Sequence, residues 1–149
     1  MKPFLDVGFL LALLIEMQGS RLAWQIARRF TDPLRLTHLQ HLLTANRLLR
    51  EQENPAASAH VRATAISALQ NLRHYLDEMI FQHVHLDYDT AIHLAAQWQK
   101  GLGPETPPAM LLVCPALAVT DGATHFLSFD PRPRKFAKVA GLKLLPETL

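Results

Sequence analysis

Two aspartates end apolar runs that lie far apart in the chain. Residues 4–14 read FLDVGFLLALL, with Asp6 as the one charged side chain. Residues 126–130 read FLSFD and end on Asp130. A carboxylate this close to an apolar run is costly to bury unless something pairs with it. Two such groups together can hold a hard divalent cation, which prefers oxygen ligands, or each can bond to nearby backbone N–H groups. Other side chains with chemical potential are more scattered. FQHVHLDYD (81–89) alternates, so His83, His85, Asp87 and Asp89 share one face of a strand. They could ligate a metal, but a solvated strand face is the reading preferred, since polar side chains commonly guard sheet edges. His38 and His41 are one helical turn apart, which capping and surface exposure explain as well as a metal does. Glu105 and Asp121 are further acids, and Glu105 lies in a loop able to bend back toward other groups. DPRPRKFAK (130–138) places Arg132, Arg134, Lys135 and Lys138 directly after Asp130. Such a run either holds phosphates or is a solvated helix face.

The bulk composition limits these options. A chain of 149 residues suits one domain with a real core. It is 49% hydrophobic and 19% charged, the balance of a globular protein rather than a disordered one. A formal charge of +2 is compatible with nucleic acid without indicating it. The single cysteine, Cys114, excludes an internal disulfide and reads as a buried small hydrophobe. Lys2 precedes an apolar stretch, but Asp6 interrupts it and no small-residue cleavage site follows before Glu16. The run from Pro107 to Thr120 is too short to span a bilayer. The expectation is a cytoplasmic protein with no membrane association.

The elements that must position these groups alternate between strand and helix. Lys2 to Asp6 reads as a short buried strand, and Gly8 opens a helix through about Met17. Ser20 caps a second helix, with Leu22, Ala23, Ile26, Ala27 and Phe30 as its apolar stripe. Arg35 to Thr37 is a strand. Thr37 then caps a helix with Leu39, Leu42, Leu43 and Leu49 along one side. Asn54-Pro55 signals a helix start, and Val61, Ala65, Leu69, Leu72, Leu76 and Met79 follow at helical spacing. Asp89 caps a helix through Trp98. Thr106 and Pro107 start another through Val119, kinked at Pro115. ATHFLSF (123–129) and LKLLP (142–146) are strands, with a short helix between them from Arg134 to Ala140. Trp24 and Trp98 sit on helices, as core or interface residues; Arg21, Arg28 and Arg29 read as surface. This alternation argues for an α/β fold with a parallel sheet covered on both faces. Functional crevices in such sheets lie beyond the carboxyl ends of the strands, where Asp6 and Asp130 both fall.

LDVGFLLALL resembles the first strand and helix of PIN domains, the fold of toxin-type ribonucleases from bacterial toxin–antitoxin pairs. GATHFLSFDPRPRKFAKVAGLKLLP is similar to that family's fourth strand, its acid and its fifth strand. LTHLQHLLTANRLLR (36–50) resembles the second strand and following helix, with Asn46 as the family's asparagine. The resemblance covers nearly the whole chain, so residues 1–149 are expected to form a single three-layer PIN-like domain with a central parallel sheet.

The resemblance implies carboxylates that hold Mg²⁺ or Mn²⁺ to activate water against an RNA phosphodiester. Asp6 and Asp130 match two of the family's acids, and Ser128 matches the small hydroxyl residue beside the second. The other acid positions are occupied by Leu43 and Ala109, which offer no oxygen ligand. Gly8 stands where an asparagine is common. A PIN homologue with an incomplete metal site follows, non-catalytic or weakly active, retaining RNA or protein-partner binding and expected to carry no cofactor. The alternative is an active Mg²⁺- or Mn²⁺-dependent endoribonuclease, with Glu105 or Asp121 as replacement acids. Arg132, Arg134, Lys135 and Lys138 are the expected RNA-binding side chains. An antitoxin-like protein and a homodimeric scaffold are the implied partners.

Overall fold

Apolar three-residue strands form the centre of the molecule. The computed structural model describes residues 1–102 and 107–149. Its strands are β1 (Pro3–Leu5), β2 (Leu34–Leu36), β3 (Phe81–His83), β4 (His125–Leu127) and β5 (Lys143–Leu145). They form one sheet in the order β3-β2-β1-β4-β5, and every pairing is parallel. The helices are α1 (Val7–Leu14), α2 (Ser20–Ala27), α3 (His38–Glu53), α4 (Ala59–Asp77), α5 (Tyr88–Lys100), α6 (Ala109–Thr120) and α7 (Pro131–Val139).

The period of two along each strand sorts these helices into layers. Phe4 and Phe126 are fully buried on one face, among side chains of α5, α6 and α7. Leu5, Leu34, Leu36, Phe81, Leu127 and Leu145 point to the other face, among α1, α2, α3 and α4. The protein is therefore α/β, three layers around a parallel sheet, consistent with a PIN-like fold. Helix α1 is apolar all round because it lies against the sheet on one side and packs on α2, α3 and α4 on the others. Phe9 to Leu14 are all buried. No described helix is long and apolar enough to cross a membrane.

Several elements differ from the sequence expectations, each for a local reason. Helix α4 starts at Ala59, capped by the Ser58 hydroxyl, rather than at Asn54-Pro55. Asn54 instead closes α3 and accepts the Ala56 N–H in a local turn. The alternating stretch 81–89 is not one strand: β3 stops at His83, and Asp87, not Asp89, caps α5. Asp87 takes that role because its carboxylate accepts from the N–H of Asp89 and Thr90 and from the Thr90 hydroxyl. Helix α7 begins at Pro131, three residues earlier than expected, with Asp130 as its cap and proline at its first position. Helix α6 holds Pro115 inside it, as expected, and ends at Thr120, one residue later than expected. The leucine stripe on α3 is not its core face: Leu42 and Leu49 are exposed, whereas Gln40, Thr44 and Leu48 are buried.

Asp121 belongs to the amino-terminal edge of the sheet, since it closes α6 just before β4 begins. Arg35 of β2 reaches it with two bonds of 2.6 Å, and the Asp121 side chain is only 3% exposed. It is thus a structural partner of Arg35 and does not join the carboxyl edge as a replacement acid. Removing one member of such a pair leaves a buried charge unpaired. We expect Arg35→Met to cost about 3 kcal/mol in a urea titration. Adding Asp121→Asn to that variant should recover part of the loss. A loss under about 0.5 kcal/mol would place the pair among exposed, nearly neutral ones.

Candidate functional site

Asp6 ends β1 and opens α1, and both roles follow from its position. Its backbone N–H donates to the Leu127 carbonyl at 2.9 Å, continuing the ladder between β1 and β4. Its side chain caps α1 by accepting the Val7 N–H on Oδ1 at 2.7 Å. A carboxylate here also meets the positive end of the helix dipole. Asp6 Oδ2 accepts the Ser128 hydroxyl at 2.7 Å. The Cys114 thiol of α6 lies against the same carboxylate. A Cβ on Gly8 would come within 3.7 Å of Asp6 Oδ2, ordinary contact that a larger residue would satisfy.

Asp130 follows β4, the strand beside β1, and caps α7 through the Arg132 N–H at 2.9 Å. Its own N–H donates to Ser128 Oγ at 3.1 Å. Ser128 is fully buried and so ties the two acids to each other. The Asp130 carboxylate is held by the Arg132 guanidinium, with Nε at 2.9 Å from Oδ1 and a terminal nitrogen at 2.6 Å from Oδ2. The structure therefore brings Asp6, Ser128 and Asp130 together at the carboxyl edge, each already bonded within the protein.

Other expected site residues are placed differently. Leu43 is half-buried on α3, and Asn46 on the next turn is exposed. Ala109 is the exposed first residue of α6. Glu105 lies outside the described residues. Arg134 is buried, in contrast to the exposed Arg132, Lys135 and Lys138. Its guanidinium donates to the Ser128 carbonyl at 2.8 Å and to the Pro146 carbonyl at 2.6 Å. It thus braces the turn that carries Asp130 and is turned away from any surface ligand. Cys114 is buried, and burial pushes its thiol well above the usual range, as does the neighbouring Asp6 charge. Trp24 packs edge-on against Tyr75, and Trp98 stacks on Phe136.

Gln40 is a site residue that periodicity missed. It is fully buried, accepts the Thr37 N–H at 2.6 Å and donates to the carbonyl of Leu5, next to Asp6. The signal was present as the T-x-x-Q spacing of a capping box, which α3 has.

The histidines form a second group at the carboxyl edge of β2 and β3. His41 Nδ1 and His83 Nε2 lie 2.9 Å apart. His38 stacks on His83 with ring centres 4.0 Å apart, and His85 lies 5.2 Å from His38. Burial holds His41 and His83 below the usual imidazole range, and neighbouring histidines add to this.

The donors at the Asp6 edge do not fit the Mg²⁺ or Mn²⁺ site that the resemblance implies. Such ions take about six oxygens, and of the acid positions that the resemblance implies, Leu43 and Ala109 leave only Asp6 and Asp130 to supply them. Here the edge offers two carboxylates, one half-buried and bonded to Ser128 and one neutralised by Arg132. Among the described residues no group of three or more histidine, cysteine or acidic side chains stands arranged to hold a metal ion. In comparisons with known proteins, no family model and no curated protein matches the chain.

Burial raises the Asp6 carboxyl above its ordinary value, and the nearby Asp130 charge adds to the rise, while the bonds from Ser128 and Val7 oppose it. Asp130 is held below the ordinary value, chiefly by Arg132. The two acids therefore act on stability with opposite sign. A raised carboxyl keeps its proton in the folded state over a window where the unfolded chain has lost it, so stability falls as pH climbs through that window. We expect Asp6→Asn to flatten this fall with pH, on top of a constant cost for the acceptor oxygen that the amide removes from Val7 or Ser128. Denaturant titrations of parent and variant from pH 3.5 to 8 check it. Parallel curves would show that Asp6 is not raised.

Proposed function

We propose that the chain is a PIN-domain homologue whose metal site is incomplete, non-catalytic or weakly active, and that it retains a binding role toward RNA. The observation that carries this reading is the fate of the two edge acids. Asp6 and Asp130 stand on adjacent central strands, where the resemblance puts catalytic carboxylates. Their oxygens already accept from Val7, Ser128 and Arg132, and the Asp130 charge is matched by the Arg132 guanidinium. Leu43 and Ala109 supply no further oxygen. Such an edge has little left with which to activate water.

Support for RNA comes from α7. Its exposed face presents Lys135 and Lys138 beside the acid edge, next to Arg132, whose guanidinium is paired with Asp130. Long cationic side chains on one helix face suit a phosphate backbone, while buried Arg134 keeps the helix start in place. A protein partner of the antitoxin kind, on a homodimeric scaffold, is the competing occupant of the same face.

The test has two arms. Filter binding to single-stranded RNA should weaken about sevenfold between 50 and 200 mM salt if Lys135 and Lys138 each neutralise one phosphate. Exchanging Lys135 and Lys138 for glutamine together should abolish most of that dependence. Equal affinity in parent and double variant would remove RNA from this face. In the second arm, melting with and without Mn²⁺ is run beside an RNA cleavage assay. No shift and no cleavage are expected. A rise of several degrees with metal-dependent cleavage, lost in Asp6→Asn, would establish the active endoribonuclease instead.

A further inference from the structure

Four histidines from two elements meet at one end of the sheet, and neither the acid edge nor the RNA face uses them. His38 and His41 lie one turn apart on α3, and His83 and His85 alternate at and just beyond the end of β3. Strand β2 leads into α3 and pairs with β3 through Leu36 and His83, which brings the two pairs together. We propose that this cluster is a binding site for a borderline divalent transition metal of the Zn²⁺ or Ni²⁺ class, with His41 Nδ1 and His83 Nε2 as its primary ligands.

Two imidazole nitrogens 2.9 Å apart share one proton as they stand. Two nitrogens on one tetrahedral Zn²⁺ lie about 3.3 Å apart, given bonds of about 2.0–2.1 Å. Widening the pair by a few tenths of an ångström admits the ion. Both rings being neutral, the shared proton moves to the other nitrogen of its own ring, which leaves both facing nitrogens free to ligate. His41 and His83 are both half-buried, which fixes them more firmly than surface rings. His38 and His85 are exposed, so their rings turn at little cost. In the metal-free arrangement His38 stacks on His83, and among the described residues no third side chain is placed to ligate together with the pair. Rotation of His38 or His85 supplies the third ligand, and water the fourth.

Electrostatics agree. Both primary rings are held below the usual imidazole range, so they are neutral and able to ligate at neutral pH. The hard ions that the Asp6 edge would take are excluded here, because imidazole nitrogen suits Zn²⁺, Ni²⁺ and Cu²⁺ rather than Mg²⁺. The site is therefore separate in chemistry from the acid edge, and it stands whether or not the PIN reading holds.

Isothermal titration of the full chain with Zn²⁺, and separately with Ni²⁺, tests the proposal. One ion per chain with micromolar or tighter affinity is expected, and no heat from Mg²⁺. His41→Gln and His83→Gln should each weaken binding by tenfold or more. The exposed double variant His38→Gln with His85→Gln should weaken it less, and Asp6→Asn should leave it unchanged. Because half-buried rings contribute to packing, the parent is also titrated with Zn²⁺ while its imidazole ¹⁵N resonances are followed. Shifts at His41 and His83 are required. Absence of stoichiometric binding, shifts confined to other histidines, or unchanged affinity in folded His41→Gln would overturn the site.

Discussion

Everything at the carboxyl edge depends on the bond from the Ser128 hydroxyl to the Asp6 carboxylate. Asp6 needs it because it stands half-buried at the junction of β1 and the all-apolar helix α1, where a carboxylate without partners is costly. Ser128 is the right residue because one hydroxyl donates to Asp6 while accepting from the Asp130 backbone. The ends of β1 and β4 are thereby locked in register by side chains as well as by their ladder. Arg134 extends the lock to the last strand, through the carbonyls of Ser128 and Pro146. Gln40 does the same on the other side, joining the start of α3 to the end of β1.

This lock decides what the edge can do. A hard cation would have to compete with Ser128 and Val7 for the Asp6 oxygens, and with the Arg132 guanidinium for Asp130. Each exchange gives up charge-assisted bonds that are stronger than neutral ones. With four acids, mutual repulsion would favour the ion; with two, one of them matched by a guanidinium, that drive is weak. The raised carboxyl of Asp6 and the lowered carboxyl of Asp130 express the same difference. The first acid is governed by burial and the second by its arginine.

The layered α/β architecture was legible because apolar three-residue strands alternate with capped helices, and Phe4–Leu5 and Phe126–Leu127 each show the period of two. Asp6 and Asp130 were legible as strand ends. What was not legible came from single residues whose partners are distant in sequence. Leu42 and Leu49 matched a helical stripe, yet the buried face of α3 carries Gln40 and Thr44, since Gln40 must satisfy the Leu5 carbonyl. Arg134 matched a basic run, yet it lies between buried Pro133 and Ala137 on the core face of α7. FQHVHLDYD alternates as a strand should, but Asp87 caps a helix and ends the alternation early. The meeting of His41 with His83 depends on which strand pairs with β2, which no local pattern reveals.

The central claim is that Asp6 is a half-buried, internally bonded carboxyl and not a metal ligand in waiting. The direct measurement is a ¹³C carboxyl titration of Asp6 by NMR, repeated with saturating Mg²⁺. The account predicts a midpoint above the ordinary 3.8 that does not move when Mg²⁺ is added. A midpoint at or below that value, or a clear fall on adding Mg²⁺, would contradict it.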